Sequence, residues 1–492
     1  MRVLFFAVGQ ELLGIEYLSS ALKKDGHEVE LAFDPGLDNF LGFIDVGVLK
    51  KLSGDKWYLE KIKSFKPDLI GFSCLTNLYS FACEKARKIK EHFDIPIVIG
   101  GIHPTILPDY VMENGNFDIL CIGEADEAFP ELLRKMQKEE GYYDTKNFWF
   151  RKNGTIIKND VRPLIQDLDS LPFADRELFY KYGCFTGTLY FISGRGCPFS
   201  CSYCCHHFLQ KKYKGLGKYV RKRSVDNILS EIKPCLEKYK VKSLYSMDDL
   251  FTINTEWIKE FSEKYRKISD LPIYCHVRPG TLNREIAKAL ADANCTSVFY
   301  GIDSGSTYIR NNIMNRKIKD EDIISNAKLL KEYGIKITTS AIFCLPDETE
   351  EQMFETVEIM KKIKADYLYT YIYYPFPNTE SFNYCVEKGL LDEETLEKVK
   401  NGEGSFHKKP LIKSKYADLA QVLKSIAPLY VKFPFLAPLV KFLIRKRLIK
   451  LSEIVFFLTA PFTYAHFGRE KMKEFISLFR MALISKFKRR IV

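Results

Sequence analysis

Residues 194–204 read Gly194-Arg195-Gly196-Cys197-Pro198-Phe199-Ser200-Cys201-Ser202-Tyr203-Cys204, with three cysteines at the spacing Cys-x3-Cys-x2-Cys. Glycine and proline punctuate this stretch, which predicts a loop rather than a helix or strand. Three thiolates at this spacing can each bind one iron of a [4Fe–4S] cluster, so that the fourth iron is left open for a substrate or cofactor atom. With 13 Cys in 492 residues, such a triplet is expected by chance only about 0.01 times.

Two other uses of these cysteines fit the sequence less well. A zinc site could combine Cys201 and Cys204 with His206 or His207, but zinc fingers and ribbons need a second close ligand pair, which the sequence does not contain. Disulfides are disfavoured because we recognise no signal peptide and the other cysteines are scattered singly. Cys205 follows the triplet directly, and we interpret it as a packing residue rather than a fourth ligand.

Residues 1–140 predict a doubly wound α/β domain, because short apolar runs alternate with amphipathic helical patterns. The predicted strands are Val3–Val8, Val29–Phe33, Leu69–Cys74, Ile97–Ile99 and Ile119–Ile122. The predicted helices span 12–24, 57–65, 78–93 and 124–137. Ligands of such domains bind at the carboxyl ends of the strands, where glycine lets a large ligand approach the backbone. Glycines at these ends are Gly9, Gly71, Gly100, Gly101 and Gly123.

Residues 186–390 predict a second α/β unit, joined to the first by a linker over 141–185 with an Asn153-Gly154 hairpin signal. The predicted strands are Leu189–Ser193, Ser243–Ser246, Ile273–Val277, Ser297–Ile302, Ile335–Phe343 and Tyr367–Tyr374. Six βα units suit a partial barrel that is open on one side rather than the closed eight-stranded form. Such barrels gather their chemistry at the strand ends, which here carry the cysteine loop, Asp248, Asp249, His276, Arg278, Asp303, Ser304, Tyr373 and Tyr374.

The cysteine loop resembles that of the radical S-adenosylmethionine (SAM) enzymes, and the first domain resembles the cobalamin (B12)-binding domain that precedes many of their cores. The stretches that carry the second resemblance are Leu13–Leu18, Ile70–Ser73, Ile99–Thr105 and Ile122–Glu124. Further stretches resemble the core of the family, namely Ser246–Phe251, Gly301–Ser306, Ala341–Thr349 and Pro375–Thr379. Asp303 stands where the family usually has glutamate, so the carboxylate is one methylene shorter.

This resemblance implies three cofactors, a [4Fe–4S] cluster on Cys197, Cys201 and Cys204, SAM, and cobalamin. The residues that it places near SAM are Tyr203, Asp248, Asp249, Arg278, Asp303 and Ser304. The residues that it places near cobalamin are Gly71, Ser73, Thr76, Gly100, Gly101, His103, Gly123 and Glu124. The signature Asp-x-His-x-x-Gly, which supplies a histidine to cobalt elsewhere, is absent, so we expect no histidine ligand on cobalt. A Rossmann-like domain that has lost its ligand is the alternative for residues 1–140.

Residues 408–492 contain 19 Lys and Arg against 4 Asp and Glu, so the positive excess of the chain lies in this tail. Its basic residues alternate with apolar and aromatic runs too short to span a bilayer. Within a helical C-terminal region over 391–492, this pattern predicts amphipathic helices on an anionic membrane surface. The alternative is that the helices cap the barrel and expose their basic faces to water. We expect a cytoplasmic protein that sits on the inner membrane face and binds no nucleic acid.

In the family, reductive cleavage of SAM gives a 5′-deoxyadenosyl radical, and cobalamin carries a methyl group to a carbon that is not nucleophilic. The resemblance therefore implies a methyltransferase that acts on an unactivated carbon and takes electrons from a flavodoxin- or ferredoxin-like donor. The basic tail favours a lipid or isoprenoid substrate over other small molecules. One alternative is a cyclase or carbon–carbon bond-forming enzyme without methyl transfer, as in the anaerobic porphyrin ring cyclase. Another is a cobalamin or cluster sensor without turnover.

Overall fold

The structure is a computed structural model that describes residues 1–34, 56–407 and 409–463. Its strands are β1 Arg2–Val8, β2 Glu28–Asp34, β3 Leu69–Ser73, β4 Ile97–Gly100, β5 Ile119–Cys121, β6 Phe148–Lys152, β7 Thr155–Ile157, β8 Thr188–Phe191, β9 Gly194–Arg195, β10 Arg221–Lys222, β11 Ser243–Ser246, β12 Ile273–Val277, β13 Cys295–Asp303, β14 Lys336–Phe343 and β15 Tyr367–Ile372. They form a seven-stranded sheet, a six-stranded sheet and a two-stranded ribbon. The predicted α/β class with two parallel-sheet units is confirmed.

Helices alternate with these strands through both units. They are α1 Leu13–Lys24, α2 Lys56–Phe65, α3 Tyr79–Lys90, α4 Ile102–Ile106, α5 Pro108–Glu113, α6 Ala128–Gln137, α7 Glu177–Tyr180, α8 Cys205–Lys212, α9 Val225–Lys238, α10 Thr255–Tyr265, α11 Arg284–Asp292, α12 Asp320–Glu332, α13 Glu350–Lys362, α14 Glu380–Glu387, α15 Glu393–Lys400, α16 Ala417–Lys432, α17 Ala437–Arg445 and α18 Ile449–Thr463. Thr349 caps the start of α13 in a capping box, in which its side chain and that of Gln352 satisfy each other's backbone N–H groups.

The first sheet has the order β2-β1-β3-β4-β5-β6-β7, and its first five strands are parallel. The hairpin that the sequence assigned to the linker extends this sheet instead, because β6 pairs antiparallel with β5. Its turn has positive φ at both Asn153 (49°) and Gly154 (79°), as a type I′ turn requires. Apolar side chains on the two faces of the sheet form separate buried clusters against the flanking helices.

The six-stranded sheet has the order β15-β14-β13-β12-β11-β8, and every neighbouring pair is parallel. β8 and β15 are therefore the two edges of an open barrel, in agreement with the sequence. The outward side chains of these strands pack on helices α9 to α13 in the largest buried cluster of the described residues. The carboxyl ends of all six strands meet at one mouth, where the cysteine loop follows β8.

Helix α16 covers the outer face of β15, and Thr370 Oγ1 donates to the carbonyl of Lys424 across this contact. Val422, Ile426, Leu429, Val440 and Leu443 join α16 to α17 in a small apolar cluster. Within the described residues, none of the helices has the length and apolarity needed to cross a bilayer. Residue 408 and residues 464–492, part of the predicted basic tail, lie outside the described residues.

Candidate cluster and cofactor site

The carboxylate of Asp248 fixes the strand that leads into the cysteine loop. It follows β11, is almost completely buried, and accepts from the backbone N–H groups of Ser193 (2.7 Å) and Gly194 (3.1 Å). The ammonium group of Lys222 on β10 lies 3.0 Å from the same carboxylate and balances its charge. Asp248 was predicted as a SAM or substrate contact, and the structure places it beneath the loop as its support.

The three cysteines of the loop lie in a partly enclosed position at the mouth of the barrel. Burial raises the pKa of Cys197 to about 11, and the neighbouring Cys204 and Cys201 thiolates add to this effect. A metal centre bound here would stabilise the thiolate form of Cys197 against the effect of burial. The amide of Gln210 on α8 donates to the carbonyl of Cys197 at 2.7 Å and so fixes the loop against the helix that follows it.

Cys204, Cys205 and His206 form the most compact group of metal-ligating side chains among the described residues. Both nitrogens of His206 are engaged, since Nε2 lies 2.9 Å from Asp249 and Nδ1 lies 2.7 Å from the Tyr219 hydroxyl. A single zinc ion at this group would have to displace one of these two contacts, because an imidazole binds a metal through one nitrogen. Thiolates that bind different irons of a cluster must stand farther apart than ligands of one ion, so the Cys197, Cys201, Cys204 set suits the cluster better.

Arg278 and Phe199 form a cationic wall beside the second cysteine. The Arg278 guanidinium lies 3.9 Å from the centroid of the Phe199 ring, and its Nη1 is 3.4 Å from Cys201 Sγ. Its other amino group donates to the carbonyl of Arg316. A fixed positive charge here stabilises a thiolate and suits the carboxylate of a ligand at the open iron.

Tyr203, Asp303 and Arg316 form a buried triad behind the loop. The Tyr203 hydroxyl donates to Asp303 Oδ2 at 2.6 Å, and Arg316 donates to both the hydroxyl and the carboxylate. Ser340 Oγ donates to the other carboxylate oxygen at 2.7 Å. Asp303 has φ of 65° at an irregular point of β13, so the strand is distorted to aim this carboxylate inward. Its contacts hold Tyr203 in place, one residue before the third cysteine.

Two other residues predicted near SAM have different positions. Ser304 is fully buried and faces outward, with its hydroxyl 3.5 Å from Thr356 on α13. Asp249 has a half-exposed side chain and pairs with His206 beside the loop. Asp249 therefore lies at the mouth of the barrel, whereas Ser304 lies in the helix layer behind it.

A cavity of about 300 Å³ lies between the strand ends of the first sheet and the start of the cysteine loop. Six of the eight residues predicted near cobalamin line it, namely Gly71, Ser73, Gly100, Gly101, Gly123 and Glu124. Its inner wall is apolar and includes Phe5, Phe129 and Phe148. None of the described residues that line it is a histidine. The cavity therefore fits part of a large cofactor that extends toward the barrel without an imidazole ligand from the protein.

The structure places Thr76 and His103 outside this cavity. Thr76 is buried, and its carbonyl oxygen would lie 1.8 Å from a Cβ atom at Gly402, in the turn after α15. The ring of His103 lies 4.4 Å from that of Tyr79, tilted by 34°, and burial lowers the pKa of His103 to about 4. Both residues therefore support the interface between the first domain and the C-terminal part of the barrel.

The glycines at the strand ends also have a packing role that was not predicted from the sequence. A Cβ atom at Gly101 would lie 2.7 Å from the backbone of Cys74, and one at Gly123 would lie 1.5 Å from the Tyr213 hydroxyl. Gly101 also has φ of 103°, which favours glycine. These glycines are thus required by chain packing as well as by the cavity that they line.

A network of buried charges joins the first domain to the cysteine loop. Arg195 donates to both carboxylate oxygens of Asp126 at 2.9 and 2.8 Å. Arg221 donates to both oxygens of Glu124 at 2.9 and 2.7 Å. Burial opposes ionisation of Asp126, but Arg195 outweighs it and lowers the pKa of this carboxyl. Glu124 therefore lines the cavity and is also committed to an ion pair with the second unit.

Four further site residues were not predicted from the sequence, namely Arg195, Arg221, Asp126 and Arg316. Arg195 lies inside the quoted loop, so its position next to Cys197 was the only signal for it. The others come from distant parts of the chain and meet through tertiary contacts alone. Arg195 and Arg221 each grip a carboxylate with two hydrogen bonds, a geometry that lysine would not reproduce.

We expect Asp126→Asn to weaken the attachment of the loop to the first domain. The change keeps the shape of the side chain but removes the bidentate carboxylate partner of Arg195, which then keeps only its 3.2 Å ion pair with Glu124; loss of a buried pair of this kind costs about 3 kcal/mol. Thermal unfolding of the reconstituted protein should therefore shift to lower temperature. Asp144→Asn is the matched control, because Asp144 pairs with Lys135 at the surface and its side chain is 77% exposed. A shift no larger than that of the control would contradict the structural role of this pair.

Two family models match the chain. The model of the B12 binding domain matches residues 9–133, and that of the radical SAM superfamily matches residues 191–360. A methyltransferase of Pyrococcus horikoshii, described as uncharacterized, is 28% identical over 86% of this chain and 87% of its own length. An anaerobic magnesium-protoporphyrin IX monomethyl ester cyclase of Cereibacter sphaeroides is 24% identical over 78% of this chain and 63% of its own length.

Solved structures with the same fold include a radical SAM methyltransferase, TsrM, from Kitasatospora setae, with a TM-score of 0.63 at 17% identity. That comparison covers 79% of this chain and 76% of the other. The cobalamin-dependent radical SAM enzyme OxsB has a TM-score of 0.58 at 18% identity, over 85% of this chain and 58% of its own. The resemblance stated from the sequence is thus confirmed, and so are the [4Fe–4S] cluster, SAM and cobalamin as cofactors.

Proposed function

We propose that this chain, a cobalamin-dependent radical SAM enzyme of the methyltransferase-like kind, transfers a methyl group to an unactivated carbon of a lipid or isoprenoid. The main support for methyl transfer is the cavity between the first sheet and the cysteine loop, because this cavity connects the predicted cobalamin site with the predicted cluster site. The exposed apolar face of the C-terminal helices supports the lipid part of the proposal. A cyclase is the second candidate, since one of the relatives is a porphyrin-ester cyclase.

When bound, the cluster and cobalamin supply one-electron cleavage of SAM and carriage of the methyl group. The residues of the chain bind, orient and enclose these reactants. Cys197, Cys201 and Cys204 would hold the cluster, and Arg278 would receive the carboxylate of SAM beside Cys201. Asp248 holds the loop in a fixed position. A fixed loop inside a barrel mouth keeps reactive species away from water and solvent oxygen.

Turnover with SAM labelled at its methyl carbon separates methyl transfer from cyclisation. We expect label in a lipid-soluble product of membrane extracts, together with 5′-deoxyadenosine and a mass increase of one methylene. Deoxyadenosine without transferred label would contradict methylation and favour ring or carbon–carbon bond formation. A flavodoxin or ferredoxin serves as the electron donor, with a chemical reductant as the control.

The lipid part of the proposal includes docking on an anionic membrane. Leu439 and Phe442 lie on α17 and Phe435 lies in the short turn just before it; all three are exposed, Phe435 by 76%. A second row of exposed apolar side chains follows a helical spacing along α18 and consists of Leu451, Ile454 and Leu458. The neighbouring Lys441, Arg445, Lys446 and Lys450 are exposed. Apolar side chains among basic ones are the composition that binds anionic headgroups, and each basic residue contributes about 1 kcal/mol near such a surface.

We expect Phe435→Asp combined with Phe442→Asp to reduce binding to phosphatidylglycerol-rich vesicles about tenfold or more. The change removes two apolar contacts and adds two negative charges that the lipid surface repels. Ile324→Asp is the matched control, because Ile324 is a half-exposed apolar residue on α12, away from this face. Cosedimentation at rising salt should show binding that weakens without vanishing, since salt screens only the charges. Equal binding by both variants would contradict docking through this face.

A further inference from the structure

The cysteine loop lies within a long stretch of sequence that has no acidic residue. Residues 178–225 contain nine Lys and Arg and no Asp or Glu, whereas the rest of the chain ahead of the basic tail has more acidic than basic residues. Five of the nine basic residues pair with carboxylates from other parts of the fold, and these are Lys181, Arg195, Arg221, Lys222 and Arg223. The other four are lysines between residues 211 and 218, so the remaining positive charge is concentrated there.

These four lysines, Lys211, Lys212, Lys214 and Lys218, form a surface that we call the lysine patch. Lys211, Lys214 and Lys218 are exposed, and Lys212 is half-buried. Lys211 pairs with Glu380 at 3.1 Å. Within the part of the chain that the structure describes, the other three have no carboxylate at ion-pair distance. The patch therefore keeps a net positive charge that faces water.

The helix that ends in the patch accounts for only two of its lysines. Lys211 and Lys212 lie in the last turn of α8, where the helix dipole favours basic residues. Lys214 and Lys218 lie beyond the end of α8, and the effect of the dipole falls off within the last turn. Exposed lysines without an acidic partner add little to stability. The charge of these two lysines is thus available to a partner outside the chain.

The lysine patch is joined directly to the cysteine loop at both of its ends. Gln210, the residue before the first lysine, donates its side-chain amide hydrogen to the carbonyl of Cys197 at 2.7 Å. Tyr219, the residue after the last lysine, packs so closely that a Cβ atom at Gly196 would overlap its carbonyl oxygen. The rate of electron transfer through protein falls steeply with distance. An electron that enters the chain at the patch therefore has only a short path to the predicted ligands of the cluster.

The segment that carries the patch has a fixed conformation. The backbone N–H of Leu164 donates to the carbonyl of Leu216 at 2.8 Å, and the side chain of Gln166 accepts from the N–H of Lys218 at 3.0 Å. Gly217 has φ of 104°, and a Cβ atom there would lie 2.5 Å from Gln166 Nε2. A surface that is already ordered loses less conformational entropy when a partner binds.

We infer that the lysine patch is the docking surface of the one-electron donor, a small redox protein of the flavodoxin or ferredoxin class with an acidic surface. The inference rests on the proposed function only because the cluster must be reduced, and it deepens that function by naming the surface that the donor meets. The donor loses one electron and the cluster gains it, and no covalent bond forms or breaks. Electron-transfer encounters are small and transient, so a few lysines that steer an acidic partner can direct them.

Binding of flavodoxin to the reconstituted holoenzyme, measured by surface plasmon resonance at low salt, tests this inference without turnover. We expect Lys214→Glu combined with Lys218→Glu to weaken binding about tenfold or more, mainly through slower association, and the difference should shrink as salt rises. Lys240→Glu combined with Lys336→Glu is the matched control. Both of these lysines are exposed at the amino ends of barrel strands, away from the loop, and the change in charge is the same. All proteins are compared at equal iron content, so that a misfolded variant is recognised.

Reduction of the cluster, followed by its visible absorption, gives a second readout. Reduced flavodoxin should reduce the patch variant at least about tenfold more slowly than the wild type at low salt. Dithionite at high salt should reduce both proteins at the same rate, because a small reductant needs no docking surface and salt screens its attraction to the lysines. Slow reduction by both reagents would mean that the lysines support the cluster itself, and would overturn the inference.

Two further outcomes would also overturn it. One is equal flavodoxin binding by the patch variant and the control, and the other is transfer RNA that binds the patch more tightly than flavodoxin at physiological salt. Failure of the proposed function is distinguishable from both. Flavodoxin binding that responds to the patch, without methyl label in any product, would support the docking surface and refute the methyl transfer. Label transfer driven by flavodoxin at the wild-type rate in the patch variant would do the reverse.

Discussion

Replacing any one of Cys197, Cys201 and Cys204 with alanine should abolish assembly of the [4Fe–4S] cluster. The reconstituted wild-type chain should hold about four irons, and each variant should retain only a small fraction of them. The physical reason is that each thiolate binds a different iron, so no remaining ligand can replace the one that is lost. Iron analysis, the visible absorption of the cluster and the loss of SAM cleavage measure the effect.

Cys205→Ala is the matched control for this experiment. Cys205 lies beside the triplet, and its thiol is close to Cys204 and His206. We expect this variant to keep most of its iron, because Cys205 is not one of the three cysteines that are predicted to bind the cluster. A triplet variant that keeps its iron, or a protein that folds only with zinc, would contradict the cluster assignment.

Gly14→Phe should reduce cobalamin binding at least tenfold while the protein remains folded. Gly14 lies in the first turn of α1 and lines the cavity, and a Cβ atom added there meets nothing within 4 Å. The added Cβ is therefore tolerated by the chain, and the phenyl ring beyond it would occupy space that the cofactor needs, where overlap of packed atoms is strongly unfavourable. Phenylalanine also suits a helix better than glycine does, so the substitution should not destabilise α1.

Gly141→Phe is the control for this effect. Gly141 also has open space around an added Cβ and an ordinary negative φ of −62°, but it does not line the cavity. Bound cobalamin is measured by its absorption after gel filtration, and circular dichroism reports the fold. Electron paramagnetic resonance of the Co(II) form should show no nitrogen splitting from a protein imidazole. Equal cobalamin binding by the two variants would place the cofactor elsewhere.

The sequence by itself determined the order of the elements and the predicted ligands of the cluster. Hydrophobic periodicity and turn residues are local properties, so the strands of both sheets and the Asn153-Gly154 turn could be located without a structure. The spacing of Cys197, Cys201 and Cys204 is local as well, because all three thiolates lie on one short loop.

Helix boundaries and strand pairings that depend on distant residues could not be predicted from this local information. The helix expected from residue 124 begins at Ala128, because the preceding Glu124 and Asp126 are held by arginines of the second unit. The hairpin expected in the linker joins the first sheet, since the free edge of β5 is available to β6. Neither arrangement is encoded in the periodicity of the segment concerned.

The tertiary structure alone decided which polar residues support the site and which face the reactants. Asp248 and Asp303 are acids at strand ends in the sequence, but backbone N–H groups and Arg316 consume their hydrogen-bonding capacity. Because Gly123 has no side chain, the Tyr213 hydroxyl can pack against it, and Gly123 also lines the cavity. Only the folded sheet brings the partly buried aromatic side chains of five strands to one inner face of the barrel, because the face that a side chain joins depends on the closure of the sheet around distant strands.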